Sequence, residues 1–226
     1  MAAKPRPSGA PAVAIQGCAG SFSHEAAERL CGAGIRIVEC DSFAATLDAL
    51  VDGRVARIVL PVENTVLGPL PTVRELLSGA PVRETGGLDL PVRHCLVVPG
   101  AAAIRIRRVA SHPVALAQCR RFLRARPDWS ALSTEDTAGA VRDLAAGRLP
   151  VDAAIASARA ARLYGCRVLR SGIQDDPRNV TRFVVLERES ATAPEPDRRI
   201  SRTALAAGRP PDRRGPDPCS PSAPPR

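Results

Sequence analysis

Small polar side chains gather at a few places in this 226-residue chain, each time where a short β-branched run gives way to a helical one. Residues 13–15 lead into Gly17-Cys18-Ala19-Gly20-Ser21-Phe22-Ser23, and residues 58–60 into Pro61-Val62-Glu63-Asn64-Thr65 with Gly68. Residues 109–111 lead into His112-Pro113, and the run near Leu132 into Ser133-Thr134-Glu135-Asp136-Thr137. Helix N-termini carry unpaired N–H groups and partial positive charge, so hydroxyls and amides beside them can help hold a carboxylate. The same residues serve as ordinary N-caps, each worth about 1 kcal/mol, or as glycine turns. Gly17-x-x-Gly20 lacks the third glycine of a dinucleotide fingerprint, and no Gly-Lys-Ser/Thr marks a phosphate loop. Glu63 follows an apolar strand, which predicts partial burial, a raised pKa and the capacity to act as an acid at neutral pH. Its alternative role, shared with Asn64, is a polar turn. Ser111 at a helix start and Gln118 seven residues later fall on one helix face and can both reach a cleft. Ser21 and Thr137 are further carboxylate-binding candidates with capping as the alternative. These types together predict a small anion held by neutral donors.

The elements that must position them alternate. Residues 13–15, 36–38, 58–60, 95–98, 109–111, 131–133, 153–156, 168–169 and 183–186 read as strands. Residues 25–31, 43–51, 72–77, 115–124, 138–146 and 159–164 carry helical periodicity. The alternation implies βαβ units in an α/β fold with mainly parallel sheets, where ligands bind in the crevice at the carboxyl ends of strands. No internal repeat is apparent.

Composition bounds the function. At 45% apolar residues the chain is not globally disordered, and no apolar run approaches the 18 residues of a membrane span. Of the net charge of +9, residues 190–226 carry +3 and residues 1–10 carry +2, which leaves a thinly spread +4 for residues 11–189. With only six aromatic residues in the chain, this argues against nucleic acid and suits a small anionic ligand. Seven scattered cysteines without a Cys-x-x-Cys pair argue against a disulfide framework or a zinc site. The first residues, MAAKPRPSGAP, lack a signal-peptide apolar stretch, so a cytoplasmic setting is expected. Residues 190–226 hold nine prolines and read as a disordered tail, residues 1–10 as a disordered extension, and folding is assigned to 11–189.

Several motifs occur in a familiar order. They are Gly17-Cys18-Ala19-Gly20-Ser21-Phe22-Ser23-His24-Glu25-Ala26-Ala27, Pro61-Val62-Glu63-Asn64-Thr65 and Ser111-His112-Pro113-Val114-Ala115-Leu116-Ala117-Gln118-Cys119. Ala154-Ile155-Ala156-Ser157, Ile173-Gln174-Asp175 and Asn179-Val180-Thr181-Arg182-Phe183 follow. In this order, over about residues 11–189, the chain resembles the catalytic domain of the prephenate dehydratase family. The resemblance implies a two-lobed fold like a type II periplasmic binding protein, with the site between lobes of residues 11–83 plus 166–189 and residues 84–165. It implies a homodimer, a cytoplasmic lyase of phenylalanine biosynthesis, prephenate as the small-molecule substrate, no metal or organic cofactor, and no nucleic-acid or membrane partner. The family's usual phenylalanine-sensing ACT domain has no counterpart in the proline-rich tail.

By the same resemblance, Thr181 is the donor to the leaving hydroxyl, with Glu63 and Asn64 beside it. Ser111, Gln118, Thr137, Ser21 and Arg182 are expected to bind substrate. Arg182 is next to Thr181 along a strand and should face the other way, which makes it a bracing ion-pair former or, if the strand twists, a carboxylate clamp. Cys18, Thr65 and Val114 stand where proline, serine and glutamine are usual. These departures leave room for a prephenate analogue as substrate, such as one with an amino group in place of the hydroxyl. A non-aromatising decarboxylase and a non-enzymatic binding module are the other readings; the intact Thr181-Arg182-Phe183 speaks against the decarboxylase.

Overall fold

A computed structural model describes residues 11–100 and 105–189, so the disorder expected for residues 1–10 and 190–226 falls outside the described residues. The chain first builds β1 (Ala12–Gln16), α1 (Phe22–Cys31), β2 (Arg36–Cys40), α2 (Phe43–Val51), β3 (Arg57–Asn64), β4 (Gly68–Pro69), α3 (Pro71–Leu77) and β5 (Val82–Pro91). It crosses into β6 (Cys95–Val98), β7 (Arg108–Ser111), α4 (Pro113–Gln118), α5 (Arg120–Arg124), β8 (Ser130–Ser133), α6 (Thr137–Ala145), β9 (Ala153–Ala156), α7 (Ala158–Leu163) and β10 (Arg167–Ser171). It then returns as β11 (Val180–Arg188).

The strands form two sheets, ordered β2-β1-β3-β11-β5 with β4 beside β3, and β10-β6-β9-β7-β8. Each is covered on both faces, which explains why the central strands read as continuous apolar runs. In β3, Ile58 and Leu60 pack with Leu47, Leu50 and Val73 on one face. Val59, between them, joins Ala26, Ala27 and Phe183 on the other. The second sheet divides the same way: Val97 and Ala154 face α6, while Leu96 and Ile155 join Phe122 and Trp129. Side chains cap the helices where the sequence placed small polar residues: Ser21 accepts from His24 N, Ser42 from Ala45 N, Asp136 from Ala138 N and Ser157 from Ala160 N.

The structure departs from the sequence reading in three ways. The sheets are mixed rather than mainly parallel, because β11 runs antiparallel to β3 and β5, and β6 antiparallel to β9 and β10; only the β2-β1-β3 and β8-β7-β9 cores are parallel. The lobe boundaries also move. β5 pairs with β11 from Val82 to Pro91 and so belongs to the first lobe, and β10 pairs with β6 and so belongs to the second. The crossings therefore lie at residues 92–94 and 172–179, not near 83 and 166. β5 escaped notice because Gly86-Gly87 and three charged residues interrupt it, and its place rests on backbone pairing at a sheet edge. Finally, the helix expected over 115–124 is two, broken at Cys119 (φ −113°, ψ 25°) where the Gln118 carbonyl accepts from Asp175 N at 2.6 Å. Among the described residues no helix is long and apolar enough to cross a membrane.

Candidate active site

Antiparallel pairing of β3 and β11 sets Thr181 opposite Asn64, both almost fully buried at 8% and 5% exposure. Asn64 Oδ1 accepts from the backbone N–H groups of Val66 and Leu67 at 3.0 and 3.1 Å, which fixes the orientation of the amide. Its Nδ2 therefore points across the strands and donates to Thr181 Oγ1 and Asn179 Oδ1, both at 2.8 Å, with the Val180 carbonyl at 3.2 Å. Thr181 thus accepts from Asn64, and its own hydroxyl hydrogen is left to be donated elsewhere. Thr65, where the family usually has serine, keeps the hydroxyl in use: it donates to the Arg178 carbonyl at 3.0 Å and accepts from Val180 N at 2.9 Å, tying the return crossing to the end of β3.

The return crossing walls a cavity of about 260 Å³ that both lobes line. Asn179, Val66 and Leu67 stand on one side and Val114, Ala117 and Gln118 on the other. Gln118 Oε1 lies 2.9 Å from His94 Nε2. His94, in the first crossing, donates from its backbone to Gln174 Oε1 at 3.1 Å and accepts from Ile173 N at 3.1 Å, so the two crossings are zipped together there. Burial pushes the His94 pKa below its ordinary value, against the opposing bond to Gln118. The Asn179 Nδ2 and His94 Nδ1 atoms are buried without a hydrogen-bond partner among the described residues.

A second cavity, about 180 Å³, lies where the first loop meets α6, and Ser21, Phe22 and Thr137 line it. Phe22 meets the His94 ring edge-on at 5.7 Å, and His94 in turn reaches Gln118 of the first cavity. Interlobe bonds hold this side together. Cys18 N donates to Asp136 Oδ2 at 2.7 Å, Ser157 Oγ to the Gly20 carbonyl at 2.8 Å and Tyr164 OH to the Ala19 carbonyl at 2.8 Å. Arg159 pairs with Glu28 at 2.6 Å. Glycine is required at the closest approach: Gly20 has φ +89°, and a Cβ there would sit 3.0 Å from Ala160 Cα. Cys18, in the proline position, is held as a thiol; burial and then Asp136 push its pKa up to about 12.

The structure joins Thr181 and Asn64, sets Gln118 across the first cavity from their neighbour Asn179, puts Ser21 and Thr137 in the second cavity, and separates the others. Glu63 alternates with Asn64 along β3 and is exposed, so the burial expected for it is absent. It lines a different cavity with Asp89 and Arg182. Arg182 points the same way and pairs with Asp89 at 3.5 Å and Glu84 at 3.9 Å; it braces β11 to β5 and is not brought to Thr181. Ser111 ends β7 rather than starting α4, whose cap is His112, so it shares no helix face with Gln118. Fully buried, Ser111 donates to the Ile155 carbonyl at 2.6 Å. Sequence reasoning missed His94 and Asn179. Asn179 lay inside a quoted motif, whereas nothing in spacing or composition marked His94. Among the described residues no group of three or more His, Cys, Asp or Glu side chains could hold a metal ion.

Comparison with known proteins matches residues 13–191 to the family described as prephenate dehydratase. Arogenate dehydratase 1 of Petunia hybrida is 42% identical over 179 residues, covering 78% of this chain and 42% of the relative. A bifunctional N-acyl-homoserine lactone acylase/prephenate dehydratase of Komagataeibacter europaeus is 36% identical over 185 residues, covering 81% and 65%. The solved prephenate dehydratase from Arthrobacter aurescens, in complex with L-Phe, superposes with a TM-score of 0.72 at 25% identity, covering 80% of this chain and 61% of that one. The chain spans less than half the length of the plant relative.

Proposed function

This chain belongs to the prephenate dehydratase family, and from that premise we propose that it converts prephenate to phenylpyruvate, water and carbon dioxide. The observation that carries this reading is the Asn64 Nδ2 to Thr181 Oγ1 bond of 2.8 Å. A hydroxyl that accepts from a fixed amide is polarised toward donating its own hydrogen, which suits a leaving oxygen. In the reaction the bond from ring carbon to carboxylate breaks, its electron pair enters the ring, and the hydroxyl departs with one proton drawn from solvent. Aromatisation makes the step strongly downhill. The protein therefore needs a donor at the departing oxygen, worth about 10²–10⁴ in rate, and donors that hold the side-chain carboxylate still. Thr181 fills the first role, directly or as a relay, since a neutral threonine is a poor proton source. Gln118, with Ser21 and Thr137 of the second cavity, fills the second.

A second reading is favoured by the same cavity. Asp175 and Asp176 also line it, each beside an arginine that stands outside the lining, Arg121 at 3.7 Å and Arg178 at 3.3 Å. Arogenate carries an ammonium where prephenate carries a keto oxygen, and such a group would be met by those carboxylates; the product would then be phenylalanine. The deciding experiment compares kcat/KM for prephenate and arogenate with purified protein. Turnover of neither, or a decarboxylated product that is not aromatic, overturns the proposal. Loss of arogenate preference in Asp176→Asn supports the second reading over the first.

A further inference from the structure

His94 is 3% exposed, sits at the junction of the two lobes, and its ring meets only one polar partner among the described residues, Gln118 Oε1 at 2.9 Å from Nε2. Its Nδ1 is buried and unpartnered. A neutral imidazole carries one hydrogen, and a buried N–H without an acceptor is costly, so the hydrogen belongs on Nε2, where Gln118 accepts it. That choice decides the other side chain. With Oε1 held by His94, the Gln118 amide must turn its Nε2 hydrogens away from the ring, and Nε2 has no hydrogen-bond partner among the described residues. Gln118 lines the interlobe cavity. On the wall opposite, Asn179 is oriented in the same manner: its Oδ1 is taken by Asn64 and its Nδ2 is left without a partner.

The geometry points to His94 as a positioning residue, one that fixes the tautomer-like choice of the Gln118 amide so that its N–H2 group, and not its oxygen, is offered to a carboxylate of the substrate. This rests on the proposed function for the identity of the carboxylate, though not for the pairing itself. Without the His94 N–H the Gln118 amide is free to rotate and to present oxygen, which repels a carboxylate. The backbone bonds of His94 to Ile173 and Gln174 are independent of its side chain, so the lobe junction persists when the ring is changed.

The test uses the full chain with His94→Phe, which keeps a ring against Phe22, His94→Gln, which returns an amide N–H, Gln118→Ala, and the His94→Phe/Gln118→Ala double variant. Expected is a rise in KM of about 10- to 100-fold for His94→Phe, matching loss of a hydrogen bond to a charged group, with kcat changed much less. His94→Gln should recover most of it, and the double variant should be no worse than Gln118→Ala alone. Additive losses in the double variant, or a His94→Gln variant as impaired as His94→Phe, overturn the assignment. Calorimetric binding of phenylpyruvate to the same four proteins gives a second measurement. It reads the pairing even if neither substrate is turned over by the unaltered protein, a result that would sink the proposed function alone. Should His94→Phe fail to fold, the shift of the Gln118 side-chain amide resonances in His94→Gln decides; unshifted resonances refute the contact.

Discussion

Thr181→Val is close to isosteric and removes one oxygen. Asn64 Nδ2 loses its 2.8 Å partner but keeps Asn179 Oδ1 at 2.8 Å and the Val180 carbonyl at 3.2 Å, so both of its hydrogens stay paired. The folding cost is then that of one net hydrogen bond, about 1 kcal/mol, with no orphaned donor added. The catalytic cost is of another order. If the hydroxyl assists departure of the leaving oxygen, kcat should fall about 10²–10⁴-fold, or about 3–5 kcal/mol in barrier height. The two figures separate the roles. Steady-state rates with prephenate and with arogenate, product identified by chromatography, are measured beside urea unfolding of the same preparation. Thr181→Ser, which restores a hydroxyl, should recover much of the rate. A kcat for Thr181→Val within about threefold of the unaltered protein, or a loss no larger than the fraction unfolded, refutes the role given to this side chain.

Asn64→Ala strips partners from the backbone amides of Val66 and Leu67 as well as from Thr181 and Asn179, and should cost about 2–4 kcal/mol in urea unfolding along with most activity. Arg182→Ala breaks only half-exposed ion pairs of 3.5 and 3.9 Å and should cost less than about 1 kcal/mol, fading in high salt, with kcat retained; a large kcat loss would return Arg182 to the site. Gly20→Ala forces a Cβ against Ala160 at a positive φ and should lower the melting temperature by several degrees, which calorimetry reads. Because His94 has a folded-state pKa depressed below 6.5, its contribution to stability is present above pH 6.5 and is lost as the pH falls through the folded value. Melting temperature should therefore decline below about pH 6.5, and His94→Gln should flatten that decline.

How far the sequence could be read depended on whether a residue's role was local. Helix caps depend on near neighbours, and Ser21 caps α1 as its placement implied, but α4 and α6 are capped by His112 and Asp136, one residue away from the expected Ser111 and Thr137. Central strands were legible because burial on both faces writes itself as an apolar run, as in residues 58–60. β5 was not, because an edge strand held by its backbone needs no such run. At the site, Thr181 and Asn64 came from motif order, and their contact was beyond reach of spacing because 117 residues separate them. Glu63 was misplaced for a smaller reason: in an extended strand one residue decides which face a side chain occupies, and Asn64 took the inner one. His94, in the crossing between lobes, acts through a partner 24 residues away, which no local pattern records.

The edge position of β5 has a consequence for biosynthesis. Its only strand partner among the described residues is β11, and residues 95–171 of the second sheet lie between them in the chain. As the polypeptide emerges from the ribosome, every strand of the second sheet leaves it before Val180 does, while β5 waits with an open hydrogen-bonding edge. Thr181 arrives on the strand that closes that edge. A nascent chain halted between Ser171 and Val180 would carry every strand of the second lobe, an unfinished first one, and no hydroxyl to act on a substrate.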